Sequence, residues 1–529
     1  MAMAMGTGMA KNRYSVSVAS CSLLTGLLTS VPVFAADWLI TPSVNVNETY
    51  SDNMFLAPSN QTASGIISTV TPGISIAGKS DRLKLNLNYA LEDMTYSANG
   101  LQNLLYNQLY SNANLELIKH TLFVDASASI MQQPLTPFGP VSANSANLSG
   151  NVVNVNTVSI SPYLVHQFDT FSTAIARFTH INSTYSYGGT ASPGTTNYAN
   201  IYGAPGAFTT NTDAEDLQLN SGTAFDRLSW GLDYNNSVNT YSGFPTTTIS
   251  LLTTNWNYLL TPQFQLTSQI GYENDNYVYF GPRPQGIFWD AGFSWALSPR
   301  TKLDITAGKR FYGSTYSFDF SHYTRMTVWN ASYIQAVVSS AMQESVPTAT
   351  SLDQLLQAQI PDPVARQQAV QQMLANLAPQ GALFGQNIMS NLIYLTKTLQ
   401  ASMGLNTPKN TALLTLYNTQ SSPLEQNNTN LLGSGYLGYG NMTQTGGTLS
   451  WAHRLSAVIS SNVNINYSKI NFGSQAPLGT TDFVMVGLTR KINPKFFGNL
   501  SLRHQAMNSG SYGYNFTENA LIASLTYLY

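Results

Sequence analysis

Charged residues are scarce in this chain, since only 9% of its 529 residues are Asp, Glu, Lys or Arg. Ordinary globular proteins carry roughly 25%. The chain is not correspondingly apolar, because 43% of its residues are hydrophobic and its mean hydropathy is −0.08. Its formal net charge of −2 provides no basic field for a polyanion, which argues against nucleic-acid binding.

Cysteine is limited to one residue, Cys21, which excludes an internal disulfide framework. The stretch 18–21 resembles a lipobox, but the apolar run before Cys21 is too short to form a signal core. Beyond the N-terminal region the chain lacks any run of 18 or more apolar residues. Membrane-spanning helices, which need such runs, are therefore excluded.

The N-terminal region has the composition of a secretory signal. Lys11 and Arg13 supply a positive start, and the weakly apolar stretch 23–34 follows. Small residues precede a cleavage point after Ala35. The sequence therefore predicts a cleavable signal peptide over residues 1–35.

Amide and hydroxyl side chains, Gly, Tyr and Phe replace the missing charge, with 30 Tyr and 23 Phe in the chain. A lipid-facing apolar surface, a neutral polar lumen and aromatic girdles produce this composition in transmembrane β-barrels. A secreted all-β protein, such as a sandwich array or a β-helix, is the alternative that composition leaves open.

Strict alternation of apolar and polar residues marks several segments, including 83–92, 264–273 and 459–467. A period of two over about ten residues is what a tilted strand needs to cross a bilayer. The polar positions are mostly Asn, Gln, Ser and Thr rather than charged residues, which suits a lumen filled with water. The alternation favours the barrel over the soluble alternative.

Short charged turns alternate with long polar stretches such as 135–154, 185–214 and 420–441. This alternation is typical of a barrel with periplasmic turns and extracellular loops. We predict an all-β, large antiparallel transmembrane barrel of about 18–20 strands over residues 36–529. A direct count gives 21 runs, an odd number that a bacterial barrel of this kind does not have.

Residues 335–390 do not fit the strand pattern. Ser351-Leu352-Asp353-Gln354 has the form of a capping box at a helix start, and Asp362-Pro363 has the form of a second start. The sequence predicts a short α-helical hairpin that interrupts the barrel. It would act as a plug or partner-binding element, or as a passive decoration of the rim.

The last strand carries apolar residues on one face and ends in an aromatic residue. Leu521, Leu525, Tyr527 and Tyr529 alternate with polar positions up to the C-terminus. This pattern predicts the C-terminal signal that the outer-membrane insertion machinery reads, and a location in the outer membrane with lipid around the barrel.

Candidate residues for chemistry are few. The six histidines are scattered, and there is no G-x-S-x-G motif, paired-histidine metal motif or Gly-rich phosphate loop. We therefore predict no enzyme activity, no metal site and no cofactor. Asp304 and Arg310 fall on the same face of one strand, which alternation places in the lumen. They would set solute selectivity or, as the more ordinary interpretation, form a structural ion pair or hydrogen bond across the lumen.

Several distinct local motifs follow one another along the chain, among them 48–53, 70–74, 308–316 and 516–520. Together they resemble the outer-membrane barrel family associated with PEP-CTERM/exosortase systems. Ser51 and the Asn/Gly-rich stretch 420–441 depart from the family pattern. The resemblance carries no catalytic residues to this chain.

The resemblance implies a role in exopolysaccharide assembly or export, with the barrel acting as a channel or export pore. Its partners would then include polysaccharide or components of its export machinery. A non-conducting anchor or scaffold for an envelope complex is the alternative, and a general porin or an outer-membrane enzyme is a lesser one.

Overall fold

The structure is a computed structural model of the chain. It describes residues 37–97, 103–134, 140, 147–187, 207–242, 246–277, 284–338, 393–424, 441–472, 479–508 and 515–529. The predicted signal peptide, residues 1–35, lies outside the described residues and stays a prediction. Among the described residues, no helix is long and apolar enough to span a membrane.

Every regular element of the described chain is a β-strand, and the strands are 10 to 17 residues long. They are β1 Asp37–Ser51, β2 Gly65–Lys79, β3 Leu83–Tyr96, β4 Leu104–Ile118, β5 Leu122–Pro134, β6 Val152–Phe168, β7 Ser172–Tyr187, β8 Ala207–Ser221, β9 Leu228–Tyr241, β10 Thr247–Thr261, β11 Phe264–Asn274, β12 Gln285–Ser298, β13 Thr301–Arg310, β14 Gly313–Tyr323, β15 Thr327–Val338, β16 Tyr394–Asn406, β17 Asn410–Pro423, β18 Met442–Arg454, β19 Ile459–Phe472, β20 Gly479–Lys491, β21 Phe496–Asn508 and β22 Asn515–Leu528.

The strands form one closed antiparallel sheet of 22 strands. Each strand pairs with its neighbours in the chain, and β1 pairs with β22 from Ser43↔Leu528 to Ser51↔Ala520. Closure removes both sheet edges. The predicted antiparallel barrel is confirmed, whereas the predicted count of about 18–20 strands is wrong.

The two ends of the barrel differ in their connections. At the turn end the connections are short, as at 80–82, 262–263 and 299–300. At the loop end they are longer, as at 135–151 and 339–393, and the β13–β14 hairpin at 311–312 is the short exception. The predicted alternation of turns and loops is therefore observed.

Outward and inward residues alternate along each strand. On β1, Val44 and Val46 point outward with 41% and 42% of their surface exposed. Asn45 lies between them and donates to Thr526 across the closure (2.7 Å). The outer surface thus forms an apolar belt that replaces solvent with lipid, and the inner surface is polar.

The predicted helical hairpin at 335–390 is wrong at its start. Residues 335–338 belong to β15 and pair with β16, from Gln335↔Lys397 to Val338↔Tyr394. Ladder hydrogen bonds and the packing of Val337 against a buried cluster keep these residues in the strand. The remainder of the predicted hairpin, 339–390, lies outside the described residues.

Candidate functional site: the barrel lumen

The loop end of the lumen is narrowed by the β1–β2 connection, residues 52–64. Met54 is fully buried among Ile67, Met94 and Tyr106, which face inward from β2, β3 and β4. Leu56 is fully buried on the other side, where the cluster includes residues of β21 and β22. Because both side chains pack on inward-facing residues, this connection, the mouth segment, lies inside the barrel.

The mouth segment is stabilised by its own hydrogen bonds. The Asn53 amide donates to the carbonyl oxygens of Ala57 (2.7 Å) and Thr517 (3.0 Å), and the Ala57 N–H donates to its Oδ1 (2.9 Å). Leu56 has a φ of 51°, a left-handed conformation that is uncommon for leucine. Burial against Met507 and Phe516 holds it there.

A buried ion pair lies beneath the mouth segment. Arg503 on β21 and Glu518 on β22 have 3% and 0% of their surface exposed, and they interact through Nη2–Oε1 (2.6 Å) and Nε–Oε2 (3.1 Å). Ser51 (2.8 Å) and Gln505 (3.0 Å) also donate to the Glu518 carboxylate. Because the carboxylate is fully paired and hydrogen-bonded, this group is structural.

The same pair holds a part of the β5–β6 connection. Arg503 Nη2 donates to Asn147 Oδ1 (3.1 Å), and the N–H of Leu148 donates to the carbonyl oxygen of Met54 (3.1 Å). Leu148 packs in the cluster around Met54. Two connections therefore meet inside the loop end and are fixed to β21 and β22 by one buried charge pair.

A second polar centre lies on the inner wall of β4 to β7. Arg177 contacts Asp125 (2.8 Å), donates to Ser161 (3.0 Å) and lies over the ring of Tyr163, 4.0 Å from its centroid. Asn114 donates to the other Asp125 oxygen (2.6 Å). Charge is balanced here, since one cation faces one carboxylate.

The inner wall of β8 to β14 is unbalanced. Its described inward positions carry six carboxylates, which we call the acidic wall, and two cations, Lys302 and Arg310. The acidic wall consists of Asp216, Asp233, Glu273, Asp290, Asp304 and Asp319. The charge excess is four, and it occupies one side of the lumen.

Arg310 is engaged near the loop end of this wall. It forms an ion pair with Glu273 on β11, although β12 lies between the two strands. Gly286 faces Glu273 on β12. The guanidinium also stacks on the ring of Phe288 (4.8 Å to the centroid), which desolvates the ion pair.

Asp275 follows β11 at the loop end, beside this ion pair. It is 2% exposed and accepts a hydrogen bond from the N–H of Ser250 (3.3 Å). Burial, followed by the nearby charge of Glu273, raises the pKa of Asp275 to about 7. Its charge therefore changes near neutral pH.

The structure does not bring Asp304 and Arg310 together. Both lie on the inward face of β13, but Asp304 contacts Lys302 (2.8 Å), and Arg310 contacts Glu273. A joint ion pair across the lumen is absent from the described contacts of these two residues. Sequence reasoning missed Glu273, Arg503 and Glu518, whose only local signal is a charge at an inward strand position.

Of the predicted C-terminal signal residues, Leu521, Leu525 and Tyr527 share the outer face of β22, and Tyr529 follows the strand. Leu521 and Leu525 are 45% and 43% exposed, and Tyr529 is 75% exposed. Lys495, in the neighbouring turn, lies 5.1 Å from the ring centroid of Tyr529. Their role in insertion stays a prediction. In the described part of the chain, no group of three or more His, Cys, Asp or Glu residues is arranged to hold a metal ion.

No family model matches the chain, and no curated protein matches it. Among solved structures, the FrpB iron transporter from Neisseria meningitidis is 12% identical with a TM-score of 0.43, covering 92% of this chain and 82% of that chain. The siderophore receptor PirA from Acinetobacter baumannii is 9% identical with a TM-score of 0.47, covering 92% and 80%. The ferric-catecholate import receptor Fiu from E. coli K12 is 10% identical with a TM-score of 0.48, covering 92% and 81%.

These comparisons correct the expected function. The solved structures similar to this chain are an iron transporter and siderophore receptors. The expected role in exopolysaccharide assembly or export is therefore wrong, and a structural anchor fits no better. The resemblance to the PEP-CTERM/exosortase family is untested by these comparisons and stays a prediction.

The predicted location is confirmed. A closed antiparallel barrel of 22 strands, with an apolar outer belt and a polar lumen, is the architecture of outer-membrane proteins. The chain is an outer-membrane transmembrane β-barrel.

Proposed function

We propose that this barrel transports a small polar ligand across the outer membrane through its lumen. The observation that carries the proposal is the closed sheet of 22 strands around a polar inner wall. Barrel diameter grows with strand number, and general porins have 16–18 strands whereas outer-membrane transporters have 22. The strand number supports a transporter over a general porin.

The mouth segment supports a restricted passage rather than an open pore. Met54, Leu56 and Asn53 are each fully buried at the loop end, and the segment occupies lumen space that bare strands would leave to water. Hydrogen bonds and apolar packing hold it in place, so entry depends on the space that it leaves. The protein acts by binding and passage, without catalysis.

Swelling of proteoliposomes in isosmotic solutions of neutral solutes of increasing size tests the proposal. We expect the intact protein to admit a small solute and to exclude a large one. The Asn53→Ala variant should admit both, because it loses the three hydrogen bonds that hold the mouth segment.

Asn60→Ala is the matched control, because Asn60 lies in the same segment and is exposed. It should swell at the rate of the intact protein. Absence of swelling for both the intact protein and Asn53→Ala, with the barrel folded in the vesicles, would overturn the proposed function.

A further inference from the structure

The carboxylates of the acidic wall lie close to one another along the inner surface. Asp304 on β13 and Asp319 on β14 are direct cross-strand partners, an arrangement that is destabilising for like charges. Asp216 on β8 and Asp233 on β9 are diagonal neighbours displaced by two residues, since Gln218 faces Asp233 and Asn235 faces Asp216. Repulsion between such neighbours is relieved when a cation comes close.

Neutral amide donors orient two of these carboxylates. Asn255 donates to Asp233 (2.5 Å) and is itself held by Gln269 (2.9 Å). Gln218 donates to Asp216 (3.0 Å). These donors fix the positions of the two carboxylates at the lumen surface.

The resident cations are too few to neutralise the wall. Lys302 contacts Asp304 (2.8 Å), and both side chains are reached by water, at 57% and 32% exposure. Arg310 contacts Glu273. Arg177 on the adjoining strand β7 is the cross-strand partner of Asp216, and its guanidinium contacts Asp125. The remaining carboxylates of the wall have no ion pair among the described contacts.

A buried carboxylate oxygen near the loop end of the acidic wall gives a second indication of a cationic ligand. Glu273 is 2% exposed, and only its Oε2 contacts Arg310. Its Oε1 is buried without a hydrogen-bond partner in the described structure. A buried carboxylate oxygen without a donor is costly. The Nε of Arg310 in the same ion pair is buried without an acceptor as well. An N–H group of a ligand would satisfy the Glu273 oxygen.

The inner wall formed by β15 to β22, opposite the acidic wall, has no excess of charge. Between the two ends of the barrel, the described inward positions of β15 to β22 carry one charged pair, Arg503 with Glu518, which neutralise each other. The rest are neutral side chains, including Asn462, Asn464 and Asn466 on β19. The lumen is therefore negative on one side and neutral on the other.

We infer that the acidic wall makes the lumen selective for cations, and that the transported ligand is a small organic cation carrying ammonium or guanidinium groups. This inference rests on the proposed transport function and adds its substrate class. Walls of one sign concentrate the oppositely charged solute in a cleft, and carboxylate rings give cation selectivity in channels.

Reversal potentials in planar bilayers across a KCl gradient test the inference directly. We expect the intact protein to favour K⁺ over Cl⁻. In the Asp304→Asn/Asp319→Asn variant the ratio of K⁺ to Cl⁻ permeability should fall. The expected factor is about threefold for each removed charge, because a unit charge ~7 Å from a passing ion in water changes the energy of that ion by an amount close to RT. Proteoliposomes should likewise swell faster in arginine hydrochloride than in sodium glutamate, and the variant should lose the difference.

The matched control removes two charges from the outer face of β8, through Asp213→Asn and Glu215→Gln. Val238 and Asn236 face these residues on β9, on the side opposite Asp216. This control should keep the permeability ratio of the intact protein. The Asp304→Asn/Asp319→Asn variant should be folded and close to the intact protein in its resistance to urea, because it removes a like-charge pair together with the water-exposed contact of Asp304 with Lys302.

The outcomes separate the two proposals. Cation selection is overturned if the protein conducts without a preference for K⁺, or if the preference is unchanged in the Asp304→Asn/Asp319→Asn variant. Neither result contradicts the proposed transport function. No conductance and no swelling, in both the intact protein and Asn53→Ala, overturns the transport function and the inference with it.

Discussion

Arg503 and Glu518 form a two-point ion pair inside the barrel wall, through contacts of 2.6 Å and 3.1 Å. They lie on adjacent strands, β21 and β22, and the same guanidinium holds Asn147 from a connection far away in the sequence. One buried pair thus joins the closing strands of the barrel to the segments that narrow its mouth.

Glu518→Gln should destabilise the barrel, because it leaves the buried Arg503 charge without a counter-charge. Breaking a buried pair from one side costs about 3–5 kcal/mol. Urea titration of the folded protein in vesicles, followed by tryptophan fluorescence, measures the effect. Lys302→Gln, which breaks the water-exposed contact with Asp304, should cost less than about 1 kcal/mol. Equal midpoints for the two variants would contradict the structural role of the Glu518 network.

Asn53→Ala should loosen the mouth segment without unfolding the barrel. The substitution leaves the buried backbone N–H of Ala57 and two carbonyl oxygens without their hydrogen-bond partner. Each of these groups that water does not reach costs about 1–3 kcal/mol of stability. Hydrogen exchange across 52–64 should accelerate, while exchange in β21 and β22 stays slow. If exchange across the segment were unchanged, the hydrogen bonds of Asn53 would not be what holds it.

Arg310 and Glu273 should show strong coupling in a double-mutant cycle. Arg310→Met alone leaves the buried Glu273 carboxylate without its cation, which is strongly destabilising. Glu273→Gln added to Arg310→Met should recover much of the lost stability, because the residual charge disappears. Free energies of unfolding for the four proteins give the coupling energy. Additive effects would show that the two side chains do not interact.

Asp275 should make stability depend on pH. Its pKa rises from 3.8 to about 7 in the folded protein because burial disfavours the charged form. The folded state therefore holds a proton that the unfolded state has lost between about pH 4 and pH 7, so this group's contribution to stability falls as pH rises through that range. Asp275→Asn should flatten that part of the curve of urea midpoint against pH. A curve identical to that of the intact protein would contradict the shift.

Leu87→Arg and Asn88→Arg should differ sharply in their effect on the stability of the barrel, although the two residues are adjacent on β3. Alternation places Leu87 in the outer belt and Asn88 at an exposed inward position. Arginine on the lipid face near mid-depth costs about 2–4 kcal/mol, whereas lumen substitutions mainly change selectivity. Urea midpoints in vesicles distinguish the two variants. A lower midpoint for Asn88→Arg than for Leu87→Arg would reverse the assignment of faces.

Much of the fold can be predicted from the sequence, because the alternation of apolar and polar residues along a strand is a local property. The runs starting at Leu83, Phe264 and Ile459 begin β3, β11 and β19 at those residues. The bounds of the strands were harder to predict where strands extend past the lipid belt. There both faces meet water and the alternation disappears, as in 207–214, which looks like loop but belongs to β8.

The site was less accessible to sequence reasoning. Asp304 and Arg310 share a strand face as alternation requires, but their partners depend on neighbouring strands. Arg310 reaches Glu273 because the register of β11, β12 and β13 brings the two residues close together. No spacing within one strand predicts that contact.

The sequence by itself determined the class of protein, an outer-membrane barrel with a polar lumen, because composition and a period of two follow from lipid on one face and water on the other. Only the tertiary structure decided the number of strands, the inward position of the mouth segment and the pairing of buried charges. These depend on closure and register, which join residues as distant as Ser51 and Glu518, and local patterns carry no information about such distances.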